Sequence, residues 1–314
     1  MEKISVVVTV FNEEDNIRPL VEQISAALTD YPFEIVYVDD GSTDNTVQVI
    51  KSLNDPHLKL VELKKNFGQC PALKAGIDYA TGDFIVTMDG DLQNDPSDIP
   101  MMVEMAKKGD YDLVAGIREK RKDGFILRKL PSKLANWLIR RVTKVDIKDN
   151  GCALKVFRAD MAKSIPLYGE LHRFISVLAH YEGAKIEQVN VKHHARIHGE
   201  SKYGLSRTFR VLSDLILMLF FRKYMQKPMH FFGTFGILTG LAGGVILFYF
   251  FILKLMGEDI WGRPLLLLGI ILLFIGFQIV TLGLLLDYQM RTYYESQHKA
   301  PYKVRRVTGG EEAN

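Results

Sequence analysis

The sequence predicts a mainly parallel α/β sheet flanked by helices, then amphipathic helices, then two C-terminal transmembrane helices. Three observations lead there. β-branched apolar runs alternate with segments of helical spacing as far as Arg118, acidic residues gather where those runs end, and two long C-terminal stretches carry no Asp, Glu, Lys or Arg. Alternation with short connections is the pattern of strands that run parallel beneath helices.

The elements follow in order. Ile4–Val10 is a continuous β-branched run, as expected of a strand buried on both faces. Glu13–Leu28 puts Ile17, Leu20, Val21, Ile24 and Leu28 on one helical face. Glu34–Val38 reads as a second strand and Thr43–Leu53 as a helix, with Ser42 or Thr43 as its expected cap. Leu58–Leu63, Pro71–Ala80, Asp83–Met88, Ile99–Lys107 and Asp112–Ala115 continue the alternation. Ligands of such sheets bind beyond the carboxyl ends of the strands.

Past residue 118 the pattern is less regular. Leu130–Val142 and Leu205–Phe221 are basic and amphipathic, and are expected to lie in the headgroup region of a bilayer. Pro228 to Leu253 and Pro264 to Leu286 are the uncharged stretches, each long enough to cross a hydrocarbon core of about 30 Å as a helix. Arg222, Lys223 and Lys227 precede the first; Arg291, Lys299, Lys303, Arg305 and Arg306 follow the second. The connection holds only Lys254 and Arg263, beside Glu258 and Asp259. That bias places both termini in the cytoplasm. Met1 to Asp30 has one short apolar stretch followed at once by acidic residues, so no signal peptide is expected. The expected division is 1–204 catalytic, 205–227 juxtamembrane, 228–287 transmembrane and 288–314 tail.

Composition narrows the function. With 314 residues, 47% of them hydrophobic and 25% charged, the chain is neither disordered nor collagen-like. Its 2 cysteines, Cys70 and Cys152, form no CxxC and suit a reducing compartment. A net charge of +3 gives no reason to expect a nucleic-acid partner. Phosphate-loop, GxGxxG and GxSxG patterns are missing. His193 and His194 are adjacent on an expected strand and would face opposite ways, which argues against a shared metal.

The chemistry lies in the acidic strand ends. The first strand runs into Phe11-Asn12-Glu13-Glu14, the second into Asp39-Asp40-Gly41-Ser42-Thr43-Asp44, and the fourth into Asp89-Gly90-Asp91-Leu92-Gln93. An Asp-x-Asp triplet arises by chance about once in a chain of this length and is weak alone. Directly after a buried strand it gains weight, because both carboxylates are held rigidly. Carboxylates sharing one sheet edge repel unless a cation joins them. Oxygen ligands suit Mg²⁺ or Mn²⁺, which also bind phosphates. Basic residues follow: Arg118, then Arg128 and Ser132 four apart on one helix face, then a polar loop from Arg196 to Tyr203. Placed at a membrane surface, these suit a lipid phosphate.

Four texts occur in order: Val7-Val8-Thr9-Val10-Phe11-Asn12-Glu13-Glu14, Val38-Asp39-Asp40-Gly41-Ser42-Thr43-Asp44, Gly82-Asp83-Phe84 through Gln93, and Gly199-Glu200-Ser201-Lys202-Tyr203. With two spans behind them, the chain resembles the polyprenyl-phosphate glycosyltransferases of glycosyltransferase family 2. The resemblance implies a GT-A-type sheet, a UDP-linked sugar donor, and a polyprenyl-phosphate acceptor, undecaprenyl phosphate in a bacterial inner membrane. It implies that Phe11, Glu13, Asp39, Asp40 and Asp89 line the nucleotide pocket. Asp89, Asp91 and Gln93 would hold Mg²⁺ or Mn²⁺. Arg118, Arg128, Ser132, Arg196, Ser201 and Lys202 would hold the acceptor phosphate, and Asp89, Asp91, Arg118 and Arg128 would carry the catalysis.

Two departures stand out. Thr9 replaces the family's usual Pro, and Asp149-Asn150-Gly151-Cys152 replaces the commoner acidic-x-x-Gly-Phe-Arg text. The second resembles the formamido-arabinose transferase branch and turns the expectation away from plain glucose or mannose donors. Two other readings compete. A processive polysaccharide synthase would add a Gln-x-x-Arg-Trp motif and more spans, and a nucleotide-binding membrane scaffold would not need the acidic loops together with Ser201-Lys202. Gly236, Gly240 and Gly244 form a small-residue stripe in the first span, from which a homo-oligomer is expected.

Overall fold

The computed structural model describes residues 2–118, 140–141, 145–167, 171–194 and 228–296. β1 (Ile4–Val10) has parallel neighbours on both sides, β2 (Phe33–Asp39) and β4 (Phe84–Asp89). β3 (Leu58–Glu62) extends the sheet beyond β2, again in parallel. On the other side lie β6 (Lys155–Arg158), β5 (Leu113–Arg118) and β7 (Ile186–Val191), giving the order β3-β2-β1-β4-β6-β5-β7 among the described residues. β6 runs antiparallel to both β4 and β5, while β5 and β7 are parallel. The reversed strand was not legible in the irregular sequence beyond residue 118.

Helices cover both faces. α1 (Ile17–Ala27) and α4 (Ile99–Gly109) bury Leu20, Ile24, Met102 and Val103 against Val6, Val8, Phe84 and Val86. Truncating a side chain as enclosed as Ile24 would cost about 2–5 kcal/mol. On the opposite face α3 (Gln69–Tyr79) packs on β1 and β2, so closely that a Cβ on Gly76 would collide with the Val7 side chain. α2 (Thr46–Ser52), α5 (Ala159–Ser164) and α6 (Ile175–Tyr181) complete the described helices of this part. α4 stops where Asp110 turns left-handed at φ 51° and its N–H bonds back to Ala106 and Lys107.

Three helix starts differ from expectation. α1 begins at Ile17 after a 3-10 turn over Glu14–Asn16, α2 begins at Thr46 rather than Thr43, and α3 begins at Gln69, two residues before Pro71. Neither Ser42 nor Thr43 caps α2. Ser42 Oγ accepts from Asn12 N–H, and Thr43 N–H donates to Asn12 Oδ1; the Asp44 carboxylate accepts from Thr46 N–H instead. The segment after β2 is committed to the loop after β1, which delays the helix.

The chain divides into two compact units, Met1–Leu215 and Ile216–Asn314. In the second, α7 (Pro228–Leu255) and α8 (Pro264–Ser296) are each long and apolar enough to cross a membrane. They pack as an antiparallel hairpin through glycine: a Cβ on Gly276 would lie 2.6 Å from Gly240 Cα, and one on Gly236 would lie 2.8 Å from Gly276 O. The stripe that raised a homo-oligomer is therefore used between these two helices, and Gly244 meets nothing within 4 Å. The expected amphipathic helices 130–142 and 205–221 fall almost wholly outside the described residues.

Candidate active site

Parallel pairing delivers the acidic loops to one edge. Val10 stands opposite Asp39 and Thr9 opposite Asp89, so β1, β2 and β4 end together. β5 points the same way, since the reversed β6 separates it from β4; Arg118 therefore emerges on that edge as well.

Hydrogen bonds lace the first two loops. Beside the Asn12 bonds to Ser42 and Thr43, Glu13 N–H donates to Thr46 Oγ1 and Glu14 accepts from Asn45 N–H. Asn12 holds φ 56°, a left-handed conformation uncommon outside glycine. Asp39, almost fully buried, accepts from Gly41 and Ser42 N–H. Asp40 accepts from Phe67 N–H at 2.7 Å and Gly68 N–H at 2.9 Å, which pins the loop after β3 to the loop after β2.

The β4 loop is equally constrained. Leu92 is left-handed at φ 59°, and Asp91 Oδ1 accepts from Gln93 N–H at 3.2 Å. Asp91 is buried, whereas Asp89 is partly open and accepts from Gln69 Nε2 at 2.8 Å. Non-glycine residues held left-handed at strand ends concentrate where function over-determines the backbone. The exit of β7 is fastened to this loop: His194 N–H donates to Gln93 O, Asn94 and His193 form an antiparallel bridge, and His194 Nε2 lies 3.1 Å from Asp95 Oδ2. Burial opposes the ionised form of Asp95, but bonds from Ser97 and His194 outweigh it and hold this carboxyl below its usual range.

At the end of β5, Arg118 pairs bidentately with Asp149, Nε to Oδ2 and Nη2 to Oδ1, each at 2.7 Å. Gly151 permits this, since a Cβ there would lie 2.9 Å from Arg118 Nη2. Behind them Lys155 lies buried in β6 with its ammonium on the Cys152 carbonyl. Burial pushes that ammonium below its usual pKa and the Cys152 thiol above its own.

Among the described residues no three His, Cys, Asp or Glu side chains converge to hold an ion. The β4 loop presents two carboxylates, Asp89 and Asp91, with Gln93 two residues further on. Two hard carboxylates fit a Mg²⁺ or Mn²⁺ ion that takes its other ligands from substrate phosphates and water. Thus Phe11, Glu13, Asp39, Asp40, Asp89, Asp91, Gln93 and Arg118 belong to loops on one edge. Arg128, Ser132, Arg196, Ser201 and Lys202 lie outside the described residues. Sequence reasoning missed Gln69, Lys155 and the role of Asp149 as Arg118's partner. Lys155 left a signal, a single charge inside the apolar text Leu154-Lys155-Val156-Phe157.

The family model described as Glycosyl transferase family 2 matches residues 5–165, more than half of the chain. The chain belongs to glycosyl transferase family 2. A dodecaprenyl-phosphate galacturonate synthase from Rhizobium johnstonii is 46% identical over 313 residues, covering 97% of this chain and 93% of the relative. An undecaprenyl-phosphate 4-deoxy-4-formamido-L-arabinose transferase from Yersinia enterocolitica is 34% identical, covering 99% and 95%. This family 2 enzyme also shares its fold with glucosyl-3-phosphoglycerate synthase from Mycobacterium tuberculosis, solved with Mn²⁺, UDP and glucosyl-3-phosphoglycerate. That likeness has a TM-score of 0.53 at 21% identity and covers 70% of this chain and 80% of that one. The GT-A-type sheet with two C-terminal apolar helices is as the sequence predicts.

Proposed function

We propose that this enzyme transfers a single sugar from a UDP-sugar to a membrane polyprenyl phosphate, inverting the anomeric centre, and that the sugar is a hexuronic acid of the galacturonate type. The observation that carries the reading is the delivery of Asp39, Asp40, Asp89 and Asp91 to one sheet edge, in a chain that aligns nearly end to end with polyprenyl-phosphate transferases. The first relative's name supports the uronate donor. The mycobacterial complex with Mn²⁺ and UDP adds an analogy of fold.

The acceptor is a phosphate monoester whose second pKa is about 6, so it is mostly dianionic at neutral pH and needs no strong base. Its oxygen attacks the anomeric carbon as the bond to the UDP β-phosphate breaks, in one displacement. Catalysis is then placement and charge stabilisation. A divalent cation at Asp89 and Asp91, with Gln93 beside them, would supply Lewis-acid stabilisation of the departing diphosphate. Phe11, Glu13, Asp39 and Asp40 line the nucleotide side. Asp149 fixes the plane of the Arg118 guanidinium, which with Arg128, Ser132, Arg196, Ser201 and Lys202 orients the acceptor phosphate. We place the protein in a bacterial inner membrane with α7 and α8 spanning and the catalytic unit cytoplasmic, from the Lys and Arg bias of the flanks.

The test is product formation by the full chain in nanodiscs, with Mn²⁺ or Mg²⁺, undecaprenyl or dodecaprenyl phosphate, and a panel of UDP-galacturonate, UDP-glucose, UDP-formamido-arabinose and GDP-mannose. The expected result is one lipid-linked monosaccharide, formed from UDP-galacturonate, and lost with EDTA. Polymer formation, or nucleotide binding with no transfer from any donor, would overturn the reading.

A further inference from the structure

Lys155 is a buried charge in the catalytic sheet that the mechanism above leaves unused. It occupies the first position of β6, opposite Thr87 of β4 and Ala115 of β5, and is only 3% exposed. Cross-strand partners share a face, and alternation puts Thr87 and Asp89 on the same face of β4. Lys155 therefore lies on the face that carries Asp89, between the strand that ends in the metal loop and the strand that ends in Arg118. A buried ammonium is costly unless it is paired and hydrogen-bonded. Its hydrogen bond goes to the Cys152 carbonyl, and the charged or titratable groups acting on it are Cys152, Asp149, Asp89 and Arg118. Two cations, Lys155 and Arg118, thus face two carboxylates, Asp89 and Asp149, at the inner end of the site. Of these four, Lys155 is on the middle strand, with its ammonium on the Cys152 carbonyl.

We propose that Lys155 is a positioning residue for the transfer reaction: its buried ammonium fixes Asp89 and the 149–152 turn in one relative placement, so that the carboxylate for the donor's metal and the Arg118–Asp149 pair for the acceptor share a single brace. A buried ammonium suits this task better than an apolar side chain, because a charge on the face that carries Asp89 draws that carboxylate toward one placement before the donor arrives. This rests on the reading of Asp89 as a metal ligand.

The experiment is Mn²⁺-dependent UDP binding by the full chain in detergent, measured by calorimetry, beside kcat and KM for the lipid. Wild-type UDP binding that ignores Mn²⁺ overturns the metal reading and this inference with it. With that dependence intact, K155Q keeps a donor for the Cys152 carbonyl but removes the charge. It should weaken Mn²⁺–UDP binding by about 10-fold to 100-fold, the usual effect of losing a residue that orients a metal ligand, and lower kcat while KM for the lipid moves little. K155R should recover most of the loss. In a D89N background, K155Q should add nothing further, because both changes act through one carboxylate. A folded K155Q with wild-type Mn²⁺–UDP affinity overturns the proposal, as do losses from K155Q and D89N that simply add. If every neutral replacement unfolds while K155R stays active with unchanged metal dependence, the lysine serves stability alone and the proposal also fails.

Discussion

Arg118 and Asp149 meet through two parallel hydrogen bonds of 2.7 Å at the mouth of the sheet edge, with only about a tenth of either side chain open to solvent. Such a pair is a device of geometry more than of net stability, because desolvation consumes much of its Coulombic gain. Removing one partner is another matter, since it leaves a buried charge alone. Asp149→Asn should destabilise the catalytic unit by about 3 kcal/mol and raise KM for the lipid phosphate. Arg118→Lys should not restore activity, because an ammonium cannot make the planar two-point contact. Thermal melts and lipid titrations check both, and a D149N enzyme with unchanged melting and KM would contradict this account.

Asp91 gives a sharper activity test. It is buried, and its Oδ1 helps to set the left-handed turn at Leu92 by accepting from Gln93 N–H. Asn keeps a carbonyl oxygen able to accept that bond, so Asp91→Asn should fold. Loss of the charge should still lower transfer by about 100-fold or more, the scale of removing one preorganised electrostatic group. A folded D91N enzyme that retained the wild-type rate would remove Asp91 from the metal site.

The legibility of this protein followed the range of its interactions. β1, β2 and β4 were readable because buried parallel strands carry largely apolar text, β3 at the sheet edge because Leu58, Leu60 and Val61 mark it, and the acidic loops because they adjoin these strands. β6 was not. It is short, its first residue is a buried lysine, and its place between β4 and β5 depends on pairing across long sequence separations. The same holds for Gln69 and Asp149, whose partners Asp89 and Arg118 are distant in the chain. Helix starts slipped for a related reason: Ser42 and Thr43 carry the local signature of a cap, yet a tertiary contact with Asn12 claims them.

Glu34 predicts the acid limb of stability. Burial would raise its pKa, but hydrogen bonds from Ser5, from the Thr81 backbone and side chain, and from Lys3 outweigh it and hold the carboxyl at about 2. A folded pKa below the ordinary 4.5 means that the stabilisation is complete above about pH 5 and is lost as pH falls toward 2. With solvent screening through the neighbouring lysines, the contribution is about 1–2 kcal/mol. Glu34→Gln should flatten the decline of melting temperature between about pH 5 and pH 2. An unchanged slope in E34Q would assign the acid limb to other carboxylates.

The helical hairpin offers two glycines of opposite consequence. At Gly276 a new Cβ would meet the backbone of Gly240, which cannot move aside as a flexible side chain could, whereas at Gly244 nothing stands within 4 Å. Close helix approach in a bilayer depends on such small residues, because lipid supplies no hydrophobic drive between helices. Gly276→Val should therefore separate α7 from α8 at a cost of roughly 1–3 kcal/mol, the range for overpacking. Gly244→Val, equally apolar but on the open side of α7, should leave the pair intact. A cysteine pair across the hairpin, introduced in both backgrounds and cross-linked in membranes, reads the difference directly. Equal cross-linking in the two variants would show that the glycine contact does not hold the helices together.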